Sequence, residues 1–174
     1  MIAHGDYRFG NCLVDPEAGR VTGVLDWELC TLGDPLADLG YLGVYWSDPG
    51  QTQSRPNDPT GIEGFPTYDD LLARYEQRTG RDLSNIDYYR AFSAWRLAVI
   101  SEGVYARFLK GAMGNQDLDQ SVLDGFKAGT EMLATEALER LETDRSTNNH
   151  RGNTPGASIP NSMDGRAASS RLPT

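Results

Sequence analysis

Apolar positions along the chain change period once. Residues 12–15 and 20–26 form short runs of β-branched and apolar side chains, and Pro16, Glu17, Ala18 and Gly19 between them are turn formers. A β-hairpin over 12–26 is predicted. Asp34 then sets a capping carboxylate before Pro35, and Leu36, Leu39, Leu42 and Trp46 follow at helical spacing, which predicts a helix over 35–46. Residues 47–66 are rich in Pro, Gly, Asp, Ser and Thr without periodicity. They read as a long loop of the kind that serves as a substrate-side lid.

Helical period dominates the remainder. Thr67 and Asp70 form a capping box ahead of Leu71, Leu72 and Tyr75, and Gly80 stops the helix predicted over 67–79. A helix over 85–110 carries Ile86, Tyr89, Leu97, Ile100, Val104 and Phe108, with Phe92, Trp95 and Val99 widening the stripe, as for a central helix packed on two sides. The last helix, 117–141, shows Leu118, Val122, Phe126, Leu133, Ala137 and Leu141. After Glu142 large apolar residues are too sparse to offset ordering entropy, so 143–174 is expected to be a disordered tail. The expected fold class is α+β: one domain over 1–142, a hairpin followed by four helices.

Composition narrows the partners. The formal charge of −9 and pI of 4.6 oppose general binding to nucleic acid or anionic membranes, which is carried by clustered Lys and Arg. Small molecules, cations and proteins remain. No apolar run approaches the roughly 20 residues of a membrane span, and Met1 leads into polar sequence rather than a signal peptide. Cys12 and Cys30 are too few and too far apart for a disulfide framework or zinc site. A reducing, cytoplasmic setting is expected.

Residues 4–11, His-Gly-Asp-Tyr-Arg-Phe-Gly-Asn, carry the spacing H-x-D-x-x-x-x-N of a kinase catalytic loop, in which the Asp takes the acceptor hydroxyl proton and the Asn holds Mg²⁺. A curled loop lets residues five apart converge on one phosphoryl group, with Gly5 and Gly10 permitting the torsions. A second carboxylate must arrive from elsewhere. Asp26 offers it at the end of the second hairpin strand, where an aspartate on a buried apolar strand needs a metal or hydrogen-bond partner.

These motifs closely resemble the aminoglycoside phosphotransferase and choline kinase-like family, whose marks are H-G-D-x-x-x-x-N followed by a D-W/F-E strand end. Asp26-Trp27-Glu28 and the run Gly33-Asp34-Pro35-Leu36-Ala37-Asp38-Leu39 match it, and the wording is nearest to the subgroup associated with acyl-CoA dehydrogenases. The match spans residues 3–46. The resemblance implies a protein-kinase-like fold, of which this chain is the C-terminal lobe portion, with ATP or GTP as donor and a small-molecule hydroxyl as acceptor. By the same resemblance Asp6 is the catalytic base or orienting carboxylate, and Asn11 and Asp26 are the Mg²⁺ ligands. Arg8 either contacts the transferred phosphate or forms an ion pair, and His4 orients the loop or takes part directly. Glu28 lies in the second shell of the metal, Asp34 caps its helix, and Asp38 braces the loop. Cys12 and the helical Tyr and Trp residues are assigned to the core.

A working kinase also needs a glycine-rich loop and a strand lysine paired to a helix glutamate. The only lysines are Lys110 and Lys127, both on late predicted helices, and no G-x-G-x-x-G precedes Asp6. The N-terminal nucleotide-binding lobe is expected to be missing and the chain inactive alone. A truncated, non-catalytic fragment that binds a metal or a partner is the alternative. Metal-dependent hydrolysis through histidines fits poorly, since only His4 and His150 occur. Leu13, Val24 and Trp46, which would pack on the missing lobe, are expected to be exposed and to promote self-association.

Overall fold

The computed structural model describes residues 1–50, 59–112 and 119–151. Among these residues four α-helices and two antiparallel strand pairs make a mixed α+β structure. The hairpin pairs β2 (Cys12–Asp15) with β3 (Arg20–Val24), with a register shift between Leu13 and Val14. Its turn is held by Asp15 Oδ1, which accepts the amides of Glu17 and Ala18 at 3.0 Å each. The sequence pattern does not announce the second pair, β1 (Ile2–Ala3) with β4 (Thr31–Leu32), since each strand has only two residues.

Helix α1 (Leu36–Val44) begins where Asp34 Oδ1 accepts the Leu36 amide at 2.9 Å. The other oxygen of Asp34 accepts the Tyr89 hydroxyl at 3.0 Å, so the cap also ties α1 to α3 (Ile86–Leu109). Helix α2 (Tyr68–Thr79) opens on the reciprocal Thr67–Asp70 capping box and closes on Gly80 at φ 66°. Two clusters make the core. Leu36, Leu39 and Ile86 pack with Leu71, Leu72 and Tyr75, while Val44, Ala94 and Ala98 pack with Leu133 and Ala137 of α4 (Gln120–Arg151). At Gly40 α1 meets α3 so closely that a Cβ would lie 2.7 Å from the Tyr89 carbonyl carbon.

The structure corrects three expectations. The buried seam of α3 is Ala91, Ala94 and Ala98, whereas Phe92, Trp95, Val99 and Ile100, expected in the core, are 43–55% exposed. Small side chains let helices approach closely, so size misled the assignment of the packed face. Secondly, α4 does not end near Leu141 but continues to Arg151, through residues assigned to the tail. Extending a helix is much easier than nucleating one, and between Gly129 and Gly152 no Gly or Pro interrupts it. Thirdly, Leu13 is half exposed as expected, but Val24 and Trp46 are partly buried. The tail beyond Arg151, residues 51–58 of the predicted 47–66 lid and the predicted start of the last helix at 117 lie outside the described residues. Among the described residues no helix is long and apolar enough to cross a membrane.

Candidate functional site

Residues 4–11 form a tight loop between β1 and β2 that is held from three directions. From α1, Asp38 accepts the His4 amide at 2.6 Å with Oδ2 and the Gly5 amide at 2.7 Å with Oδ1. From within the loop, His4 is buried, and its Nδ1 accepts the Asp6 amide at 3.2 Å. That fixes the tautomer: the proton sits on Nε2, which donates to the Leu25 carbonyl at 2.8 Å. The imidazole also packs on Trp27, centroids 4.6 Å apart. From α3, Arg96 Nη2 donates to the Gly5 carbonyl at 2.6 Å. Gly5 has φ 85°, and a Cβ there would lie 2.5 Å from the Leu29 carbonyl oxygen, so only glycine fits. Gly10 has no such torsion; it leaves space for the Arg8 guanidinium.

This frame sets Asp6 and Asn11 side by side. Asn11 is buried, and its Nδ2 donates both to the Asp6 carbonyl and to Asp6 Oδ2 at 2.9 Å. Both bonds use the amide nitrogen, so Asn11 Oδ1 keeps its lone pairs for another partner. On the other side of the carboxylate, Arg8 Nε stands 3.6 Å from Asp6 Oδ1, with Arg8 Cζ 5.9 Å from the Tyr45 ring centroid. Arg8 thus forms an ion pair with Asp6.

Asp26 reaches the loop through backbone pairing, since the Leu25 amide donates to the Asn11 carbonyl at 2.8 Å. Its setting differs from expectation. Instead of ending a buried strand, Asp26 lies exposed beyond β3 and begins a short 3-10 turn, Trp27–Leu29. Burial therefore does not demand a partner. Strain points to the residue instead: Asp26, at φ 68°, is the one non-glycine in the left-handed region among the described residues, and no described group hydrogen-bonds its carboxylate. Glu28, in the same turn, is exposed.

Among the described residues no three His, Cys, Asp or Glu side chains cluster as a metal cage. The donors assigned to a metal, the Asn11 amide oxygen and the Asp26 carboxylate, are hard oxygen ligands. They suit Mg²⁺, which is usually held by one or two carboxylates together with substrate phosphates. Behind the loop lies a groove of ≈640 Å³, lined by His4, Arg8 and Asp38 and mostly by apolar residues such as Val24, Leu39 and Trp46. Asp6, Asn11 and Asp26 are not among its lining residues.

Sequence reasoning missed Tyr41 and Arg96. Tyr41 is buried on α1, its hydroxyl 3.3 Å from that of Tyr45, and Arg96 Cζ lies 4.4 Å from its ring centroid. Burial first, then the Tyr45 hydroxyl and nearby Asp6, hold the Tyr41 proton well above the usual phenol range. An arginine inside the apolar run of residues 94–100 was the available signal for Arg96.

Comparison with known proteins agrees with this geometry. Residues 1–92 match the model of the phosphotransferase enzyme family. Acyl-CoA dehydrogenase family member 10 of Mus musculus is 36% identical over 159 residues, covering 80% of this chain and 15% of that protein. Acyl-CoA dehydrogenase family member 11 of Homo sapiens is 35% identical over 120 residues, covering 67% of this chain and 15% of that protein. The chain thus spans only about a seventh of these relatives. A solved structure from Ralstonia eutropha JMP134, described as an aminoglycoside phosphotransferase, is 36% identical with a TM-score of 0.61, covering 81% of this chain and 42% of that one. By the match over its first 92 residues and these relatives, the chain belongs to the phosphotransferase enzyme family.

Proposed function

We propose that these residues are the C-terminal, catalytic portion of a kinase-like phosphotransferase that moves the γ-phosphate of ATP or GTP to a small-molecule hydroxyl. The reading is carried by the Asp6–Asn11 hydrogen bond at 2.9 Å, formed five residues apart in a loop that Asp38 clamps. Asp6 accepts the hydroxyl proton as the oxygen attacks phosphorus, and Arg8 and the His4–Asp6 amide bond hold the carboxylate in orientation. Asn11 and Asp26 would hold Mg²⁺, which when bound neutralises charge on the transferred phosphate.

Lys110, at the end of α3, and Lys127, on α4, are both exposed and stand on elements remote in sequence from the loop. Among the described residues neither lysine is hydrogen-bonded or ion-paired to the loop, and the proposal therefore includes lack of turnover by the chain alone. The same observation favours, as second reading, a non-catalytic module that binds a metal or a partner. Calorimetric titration of the chain with MgATP tests the site. Weak binding that Asp26→Asn and Asn11→Ala each abolish is expected; heats unchanged by both substitutions reject the assignment, and binding without turnover in any longer form favours the second reading.

Self-association belongs to the proposal as well. Tyr88, Phe92, Trp95 and Val99 recur at spacings of three or four on α3 and are all about half exposed, forming one apolar stripe. Sedimentation velocity is expected to show dimer growing with concentration, and Trp95→Glu to return it to monomer. A wild-type chain that stays monomeric at every concentration refutes this.

A further inference from the structure

Gly5 and Asp6 are linked by a closed ring of side-chain contacts that the motif itself does not contain. It starts at the Gly5 carbonyl, which accepts from Arg96 Nη2 at 2.6 Å. The Arg96 guanidinium lies over the Tyr41 ring at 4.4 Å, and the Tyr41 and Tyr45 hydroxyls are 3.3 Å apart, with rings at 5.2 Å. The Tyr45 ring faces Arg8 at 5.9 Å, and Arg8 returns to Asp6 Oδ1 at 3.6 Å. Tyr41 lies on α1 and Tyr45, four residues on, is its C-cap, so the end of one helix presents both rings.

Arg96 is unusual within this ring. Its Nε is buried without a hydrogen-bond partner, and no described carboxylate forms an ion pair with it. A partly buried guanidinium without a carboxylate is costly, and a simple fold-stabilising arginine would be expected to have one. What it does have is a charge-assisted bond to the carbonyl that precedes Asp6 and a flat aromatic seat that fixes its plane. The amide side of Gly5 is already held by Asp38. Arg96 therefore completes a two-sided grip on a glycine whose φ of 85° lies in a region with many neighbouring alternatives.

We infer that Arg96, seated on Tyr41, is a positioning residue that fixes the Gly5–Asp6 peptide and thereby aims the Asp6 carboxylate. This rests on the reading of Asp6 as the hydroxyl-facing group. The role is indirect: Arg96 touches the backbone of the loop. Nothing in the H-x-D-x-x-x-x-N spacing calls for such a residue ninety-one positions downstream.

Amide hydrogen exchange on the whole chain, followed by NMR, tests it without any need for turnover. Arg96→Met keeps the bulk but removes the donor, and is expected to speed exchange at Gly5 and Asp6 about tenfold, with Ala94 and Ala98 of α3 unchanged. Arg96→Lys keeps the charge but loses the planar fork, and is expected to give a smaller rise, about threefold. Unchanged loop exchange in Arg96→Met overturns the inference. So does a rise shared equally by the α3 amides, because Arg96 would then stabilise the fold at large. If Arg96→Met does not fold, Arg96→Lys decides the matter, and loop exchange equal to wild type overturns it. Loss of turnover on Asp6 substitution is a separate measurement, so failure of the catalytic reading and failure of this inference are distinguishable.

Discussion

In a polypeptide that carries this chain and turns over nucleotide, Asp6→Ala is expected to lower phosphoryl transfer by on the order of 10²-fold or more, the usual cost of losing a general base. Affinity for MgATP should change far less, because Asn11 and Asp26 remain. Asp6→Asn sharpens the test. An amide at this position keeps the volume and one oxygen that Asn11 Nδ2 can reach at the Oδ2 position, so the loop survives. It cannot take a proton and it loses the ion pair with Arg8. If charge and basicity matter, Asn is nearly as damaging as Ala; if Asp6 only shapes the loop, Asn is nearly wild type. Steady-state turnover at saturating nucleotide separates these outcomes, and unchanged turnover in both variants removes Asp6 from the chemistry.

The local features of the fold were legible because local chemistry determines them. The Thr67–Asp70 box, the αL stop at Gly80 and the Asp34 cap are set by side chains bonding to backbone a few residues away, and each occurs where the pattern places it. What was hidden depends on partners distant in the chain. The two-residue β1–β4 pair carries no periodicity, and the Ala91–Ala94–Ala98 seam is invisible to a reading that weighs large side chains. Within the site, Asp6 and Asn11 were readable from spacing, and the structure puts them in contact. Asp26 was found for a reason that the structure replaces: its backbone strain, not its burial, marks it out. Arg96 and Tyr41 could not be read from the loop, since its spacing does not signal a guanidinium ninety-one residues downstream on α3.

Asp38→Ala is expected to be the most destabilising of these substitutions, by about 3–5 kcal/mol, because it leaves two amides without their acceptor and each lost bond to a charged group is worth about 1.5–3 kcal/mol. The two bonds are short, 2.6 Å to His4 and 2.7 Å to Gly5, and both are partly shielded from solvent. Asp38 also stands in the first turn of α1, where a negative charge is favoured by the helix dipole, so alanine forfeits that smaller term too. Damage would spread from the loop. Freed from Asp38, the His4 backbone no longer fixes the buried imidazole that joins the Asp6 amide to the Leu25 carbonyl, and the link between loop and hairpin loosens. Asp38→Asn makes a stringent comparison. One oxygen can still serve one amide, but the NH₂ group then faces the other amide donor to donor, so Asn should recover less than half of the loss. Urea denaturation of the three proteins measures this directly. A midpoint shift equivalent to less than about 1 kcal/mol for Asp38→Ala would mean that water satisfies both amides and that the loop does not depend on α1 for its shape.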